Sequence, residues 1–259
     1  MKSLAGVILA AGKGTRMKSD LPKVVHPAAG RAMVSWVVDA CAAVGCERIV
    51  VVVGHGRELV EEALENHPAK DRIVYAFQEE QLGTGHAVIA ARDETMAGGF
   101  EGDVLVLCGD GPLIRAETLE QLIGVHRETS ASGTLATAVL DDPNGYGRIV
   151  RSTDGKFSAI VEQKNATDEQ VAIREVNPSY YCFGAHDLFG ALDCVQRDEV
   201  SGEYYVTDVP ALLQSEGKRV EVIDAVPAED VLSVNTPEQL AEVTRVLESR
   251  ATQPEGSQA

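Results

Sequence analysis

Short runs rich in Val, Ile and Leu alternate along the chain with segments whose apolar residues recur every three or four positions. Strands buried on both faces of a parallel sheet read as near-continuous apolar runs, and the helices that cover such a sheet carry one apolar stripe. The pattern predicts strands at residues 4–10, 48–53, 72–77 and 103–107, separated by helices at 32–44, 57–66 and 84–92. Gly45 stands where the first helix needs a left-handed cap. After a helix at 116–128 the texture changes. Strands at 134–140, 148–151 and 157–162 follow one another with an Asp154-Gly155 turn and a loop marked by Pro143, Gly145 and Gly147, which predicts antiparallel pairing. A strand at 175–183, helices at 186–195 and 207–216, and a strand at 219–225 return to mixed texture. Thr236-Pro237 then opens an amphipathic helix at 237–250 with a good cap and first-turn pair. Residues 251–259 read as a disordered tail. With no Pro/Ser-rich linker and no repeat, the expectation is one α/β domain over residues 1–250, built on a mixed, mostly parallel sheet with helices on both faces.

Ligands of such sheets sit at the carboxyl ends of the strands. That rule singles out residues 11–16, 54–56, 78–84 and 108–112. The charge sharpens it. The chain of 259 residues carries 23 Lys and Arg against 40 Asp and Glu, a formal charge of −17. Such a surface repels nucleic acid and anionic membranes. Yet residues 1–31 hold six cations (Lys2, Lys13, Arg16, Lys18, Lys23, Arg31) against Asp20, a local +5 that leaves −22 for the rest. A small positive island in an acidic protein points to a small polyanion of phosphate size. No apolar run approaches the roughly 18 residues that span a bilayer, and the short apolar start reads as a strand rather than a signal peptide. Five cysteines, without C-x-x-C spacing, suit a reducing, cytoplasmic compartment.

The sharpest local feature is LAAGKGTRM at 9–17, followed by Leu21-Pro22-Lys23. A Walker A loop would close with Gly-Lys-Ser/Thr, but Gly14 follows Lys13. A dinucleotide fingerprint would place a small residue where Met17 stands. What remains is a glycine-bearing loop with Lys13, Arg16 and Lys23, either a cradle for a triphosphate or a βα turn with solvated charges. Asp110, in Gly109-Asp110-Gly111-Pro112, lies on the same rim. One carboxylate there suffices for magnesium shared with substrate phosphates, and also suits a plain turn before proline. The amides of Gln78 and Gln81 offer paired donors and acceptors for a base edge, or cap a helix. His55 and His86 read as turn and helix-cap residues, Met33 and Trp36 as core, and Glu58, Glu61, Glu62 and Glu65 as a solvated helix face. Cys108 has no neighbour to lower its thiol pKa, and Asp110 would raise it.

The combination is far more specific than its parts. LAAGKGTRM with LPK, QEEQLGTGHA at 78–87, GDGPL at 109–113, GYGR at 145–148, VEQKNAT at 161–167, EVN at 175–177, GEYYVTD at 202–208 and VNTPEQL at 234–240 follow in one order. Together they resemble the N-acetylglucosamine-1-phosphate uridylyltransferase (pyrophosphorylase) half of the bacterial GlmU family, from about residue 5 to about 245. The resemblance implies a Rossmann-like nucleotidyltransferase fold of GT-A type, with a nucleotide half at about 1–115, a sugar-phosphate half at about 116–235 and a C-terminal helix. It also implies Mg²⁺-dependent formation of UDP-N-acetylglucosamine, a peptidoglycan precursor, from UTP and the sugar-1-phosphate. Leu9, Ala10, Ala11 and Gly12 would contact the nucleotide through their backbone, Arg16 the β- and γ-phosphates, and Lys23 the α-phosphate. Gln78, Gln81, Gly83 and Thr84 would read the uracil, and Asp110 and Asn235 would hold Mg²⁺. Cys108 and Gly109 would adjoin the substrates. Gly147, Glu162 and Asn177 would hold the sugar, with Thr207 and Tyr205 lining that side.

Three positions depart from the family pattern. Cys108 stands where Tyr is usual, Gly111 replaces a larger residue, and Pro178-Ser179 stand where a small residue and Gly are common. All bear on the sugar rather than the uridylyl group. Two rivals follow: a related transferase with another sugar or base, and a non-catalytic sensor of nucleotide sugars. The pairing of QLGTGHA with GYGR favours UDP-N-acetylhexosamine chemistry, and the presence of Arg16, Lys23, Asp110 and Asn235 favours an enzyme. No hexapeptide repeat follows residue 245, so neither acetyltransfer nor the trimerisation that goes with it is expected, and the oligomeric state stays open.

Overall fold

The computed structural model describes residues 2–252. The chain runs β1 (Leu4–Leu9), a small hairpin of β2 (Pro27–Ala28) and β3 (Arg31–Ala32), α1 (Met33–Ala43), β4 (Arg48–Val53), α2 (Arg57–Leu64), β5 (Ile73–Phe77), α3 (Thr84–Ala90), α4 (Arg92–Met96), β6 (Asp103–Cys108) and α5 (Ala116–Glu128). It continues through β7 (Gly133–Val139), β8 (Gly147–Arg151), β9 (Phe157–Val161), α6 (Asp168–Val171), β10 (Glu175–Gly184), α7 (Ala185–Leu192), α8 (Val209–Ser215), β11 (Val220–Asp224) and α9 (Pro237–Thr252).

Nine strands form one sheet in the order β11-β7-β10-β6-β1-β4-β5, with β8 beside β10 and β9 beside β8. β1 pairs in parallel with both β4 and β6, β4 with β5, and β7 with β11. β10 runs against β6, β7 and β8. The sheet is therefore mixed and mostly parallel, with β10 as the reversed strand that joins the two parts. Alternation along β1 sends Val7 and Ile8 to opposite faces. Ile8 packs with Val37 of α1, Val60 of α2 and Leu122 of α5. Val7 joins Val88 of α3, Leu188 of α7 and Leu213 of α8 on the other face. Burying apolar area on both faces, at about 25 cal/mol per Å², is what commits these runs to a covered sheet.

The expected elements are present, with local differences. The helix expected at 84–92 breaks after Ala90, and α4 starts afresh at Arg92. The helix expected from 207 opens as a 3₁₀ turn over Val206–Asp208 before α8. The β2–β3 hairpin and α6 were not expected, since elements of two and four residues are too short to show a period. α6 did carry a local signal, the reciprocal Thr167–Gln170 capping box. Gly45 takes φ 85° at the end of α1, as its cap role requires. Of the expected tail, residues 251 and 252 belong instead to α9, where the Thr252 hydroxyl donates to the Ser249 carbonyl at 2.9 Å; residues 253–259 lie outside the described part. No described helix is long and apolar enough to cross a membrane.

Candidate active site

β1, β4, β5 and β6 are parallel neighbours, so their carboxyl ends open on one rim. A cavity of about 270 Å³ lies there. Leu9, Ala11, Gly12, Lys23, Gln78, Gln81, Gly83, Thr84, Cys108 and Asp110 line it, together with Glu203. Two expected residues stand behind its wall: Ala10, whose N–H donates to the Val52 carbonyl at 2.9 Å, and Gly109, whose N–H donates to the Leu9 carbonyl at 2.9 Å. Gly14 has φ 62°, and a Cβ there would stand 2.5 Å from that of Lys23. Only glycine lets the Lys23 stem lie against the loop. Lys13 and His55 are exposed.

A second cavity of about 220 Å³ lies on the far side of Asp110. Arg16, Gly147, Glu162, Asn177 and Asn235 line it, as do Tyr146, Ser179, Ser233 and Gln239. Cys108 and Asp110 belong to both cavities. β8 and β10 place two of these residues opposite each other, Gly147 facing Asn177 in the register. The ladder between β10 and β7 is interrupted between Val176 and Tyr180, and this bulge accommodates Pro178, which has no N–H to give a ladder. Ser179 sits there at φ 66°, with its N–H donated to Asn177 Oδ1 at 3.2 Å. Asn177 Nδ2 donates to the Tyr181 hydroxyl at 2.6 Å, so this amide is held firmly at the wall. Thr207 and Tyr205, expected at the cavity, are both buried and do not line it. Thr207 acts through a neighbour: its hydroxyl donates to Glu162 Oε1 at 3.1 Å. The Tyr205 hydroxyl bonds to Ser201 at 2.6 Å and to Glu203 at 2.9 Å.

Between the cavities the four charged and amide groups close on one another. Lys23 Nζ donates to Asp110 Oδ2 and, at 3.0 Å, to Asn235 Oδ1; Arg16 Nη2 donates to the same Asn235 oxygen at 2.7 Å. α9 sets Asn235 in place. Gln239 Oε1 accepts from the N–H groups of Asn235 at 2.7 Å and Thr236 at 3.1 Å, while Thr236 Oγ1 accepts from the Gln239 N–H at 3.3 Å. Val234 N–H donates to the Asp110 carbonyl at 3.0 Å. A capping box at the start of the last helix thus ties Asn235 to Asp110.

Burial and the Asp110 charge push the Cys108 thiol up to about 12, against a smaller opposing effect of Lys23. It is no nucleophile at neutral pH. Burial likewise raises the Glu162 carboxyl above its ordinary value, although the Thr207 hydroxyl and Lys164 oppose the shift.

A family model for the MobA-like NTP transferase domain matches residues 6–193. The chain belongs to this family. It is 46% identical over 250 residues to the bifunctional protein GlmU of Geobacter metallireducens, covering 96% of this chain and 52% of that protein. The same identity relates it to the bifunctional protein GlmU of Halalkalibacterium halodurans, covering 96% and 53%. The chain spans about half the length of the curated relatives it matches. Among solved structures, a UDP-glucose pyrophosphorylase complexed with UDP-glucose superposes with a TM-score of 0.74 at 18% identity, over 96% of this chain and all of that one. The fold is that of a nucleotidyltransferase.

An NTP transferase domain of this kind implies a divalent cation. Among the described residues no group of three or more His, Cys, Asp and Glu gathers to hold a metal unaided. Asp110 Oδ2 and Asn235 Oδ1, however, already converge on one cationic atom, Lys23 Nζ. Two hard oxygen donors open to both cavities fit a cation that completes its shell with phosphate and water. The sequence expectations left out Glu203, Tyr146, Ser233 and Gln239. Gln239 carried a signal as the third helical residue after the Thr236 cap, and Tyr146 and Glu203 stood inside the GYGR and GEYYVTD motifs; Ser233 carried none and reaches the site through tertiary contacts.

Proposed function

We propose that this chain forms UDP-N-acetylglucosamine and pyrophosphate from UTP and N-acetylglucosamine-1-phosphate. The observation that carries this reading is the pair of cavities that share Cys108 and Asp110 and are bridged by Arg16, Lys23 and Asn235. The likeness to proteins named GlmU supports the choice of nucleotide and sugar. In this reading residues 1–115 serve the nucleotide and 116–235 the sugar-phosphate within one domain closed by the last helix. UTP lies in the first cavity, against the backbone of residues 9–12, with its uracil among Gln78, Gln81, Gly83 and Thr84. The sugar-phosphate lies in the second, held by Gly147, Glu162 and Asn177.

The triphosphate draws Lys23 to its α-phosphate and Arg16 to its β- and γ-phosphates, which frees the oxygens of Asp110 and Asn235. A phosphate oxygen of the sugar-1-phosphate attacks the α-phosphorus in line. One P–O bond forms while the bond from the α-phosphorus to the bridging oxygen breaks, and pyrophosphate leaves with the electron pair. The nucleophile is already an anion, so no side chain has to remove a proton. Positioning and neutralisation of charge lower the barrier. Mg²⁺ held by Asp110 and Asn235 would supply neutralisation between the two phosphates when bound. UTP as a substrate is in keeping with a cytoplasmic protein.

Pyrophosphate release tests the reading, with UTP, Mg²⁺ and, separately, the 1-phosphates of N-acetylglucosamine, N-acetylgalactosamine and glucose. Release is expected with N-acetylglucosamine-1-phosphate. No release with any of them would sink the enzyme reading in favour of a sensor. Preference for glucose-1-phosphate would transfer the activity to another sugar and trace to Cys108, Gly111 and Pro178. A Cβ at Gly111 would meet nothing closer than 3.8 Å, so this glycine leaves room at the cavity wall rather than meeting a backbone demand.

A further inference from the structure

Gln78 is 3% exposed and stands in the wall of the first cavity. Its Nε2 donates to the Gly83 carbonyl at 3.2 Å and lies 3.0 Å from His86 Nδ1. A carbonyl oxygen can only accept, so the amide atom beside Gly83 is the nitrogen, and its second hydrogen goes to His86. Nδ1 of His86 therefore accepts, and the ring proton sits on Nε2. Both amide hydrogens are spent inside the protein. Oε1 is what Gln78 has left for a ligand.

The surrounding turn holds this arrangement. Gly83 takes φ 100°, and a Cβ there would stand 2.5 Å from the Tyr204 carbonyl. Gly85 N–H donates to that carbonyl at 2.8 Å, Tyr204 N–H to the Leu82 carbonyl at 2.8 Å, and Val206 N–H to Thr84 Oγ1 at 3.1 Å. With residues 82–86 clamped to 204–206, the amide cannot turn over without losing Gly83 or opposing His86.

We propose that His86 is a positioning residue for base selection: by taking the second amide hydrogen of Gln78 it leaves only a carbonyl facing the base, so the site selects a pyrimidine that carries hydrogen on N3. This deepens the uridylyltransferase reading and rests on it. Uracil offers N3–H between two carbonyls. Cytosine turns an N3 lone pair toward Oε1, and a buried acceptor facing an acceptor leaves both unpaired. A site built around a hydrogen bond rejects a ligand that lacks it far better than a site built on shape.

The test is the ratio of kcat/KM for UTP to that for CTP in the wild type and in His86→Asn, His86→Leu and His86→Lys, each checked for an unchanged melting temperature. Calorimetric Kd values for UDP and CDP read the same preference without turnover. The wild type should favour the uracil nucleotide by at least about 100-fold. His86→Asn, whose Oδ1 can replace the accepting nitrogen, should keep that ratio within about threefold. His86→Leu and His86→Lys should lower it by at least about tenfold, chiefly through weaker binding of the uracil nucleotide. A wild type that takes CTP as well as UTP, an unchanged ratio in the Leu and Lys variants, or an equal loss for both nucleotides would overturn the proposal. If the wild type binds UDP over CDP but releases no pyrophosphate, the proposed reaction fails, while the His86 inference is still decided by the Kd ratios.

Discussion

The two cavities meet at Asp110 but are built in different ways. Apart from Glu203, the first is assembled at the ends of neighbouring parallel strands, from segments that follow a strand directly in sequence. The second gathers Arg16, Cys108 and Asp110 together with residues from the start of β8, the end of β9, a bulge in β10 and the segment leading into α9, so that its extremes, Arg16 and Gln239, come from opposite ends of the chain. One is a consequence of local order at a sheet rim. The other exists only because β10 reverses direction and α9 returns to the rim. The first is therefore expected to change with single loop residues, and the second with contacts that hold distant segments together.

Substitution at the shared point should have the largest effect. Asp110→Ala is expected to lower kcat by about a thousandfold, on the order of 4 kcal/mol of barrier, while calorimetry still detects both substrates. Near-normal turnover with Mg²⁺ present would remove Asp110 from the mechanism and with it the idea that the cavities meet at a reaction centre. Next come changes confined to the second cavity. Asn177→Ala should reduce kcat/KM for the sugar-phosphate by about 10- to 100-fold, as for a lost buried hydrogen bond, with the Kd for UTP unchanged. A parallel loss of UTP binding would mean that the two sides are not separable.

Gly83→Ala tests the first cavity alone. Its φ of 100° and the 2.5 Å approach to the Tyr204 carbonyl should cost roughly 2 kcal/mol of stability in denaturant titration, and should raise the KM for UTP more than that for the sugar-phosphate. The smallest expected effect is a shift of pH dependence. Because burial holds Glu162 above the ordinary glutamate value, protonation as pH falls should remove its accepting charge and raise the KM for the sugar-phosphate, at a higher pH than an exposed glutamate would. The Thr207 hydroxyl favours the ionised form. Thr207→Val should therefore move this limb to still higher pH and leave the UTP profile in place. A limb that moves equally for both substrates would assign the titration elsewhere.

Sequence and structure agree best where chemistry follows directly from a strand. The loop after β1, Gln78 after β5 and Asp110 after β6 could all be placed on one rim, because parallel strands point their carboxyl ends the same way. Glu203 and Tyr146 could not, since each stood inside a quoted motif but neither follows one of the parallel strands of that rim. Pro178-Ser179, which departs from the family pattern, is a bulge that brings Ser179 to the second cavity. Thr207 and Tyr205 were expected at the cavity surface and lie behind it, because a motif records which residues recur together and not which atom faces the ligand.

Apolar periodicity by itself determined an α/β sheet covered on both faces, and the cluster of cations in residues 1–31 pointed to a small polyanion while leaving the loop at 11–16 open between a triphosphate cradle and a plain turn. These follow from local backbone geometry and from the need to bury apolar faces, both of which act over a few residues. The closure of Lys23, Asp110, Asn235 and Arg16 on one another, and the saturation of the Gln78 amide by Gly83 and His86, were decided only by the tertiary structure. Hydrogen bonds and charge pairs depend on ångström-scale distances between side chains, and those distances are set by how the sheet order, the β10 bulge and the return of α9 bring separate segments together.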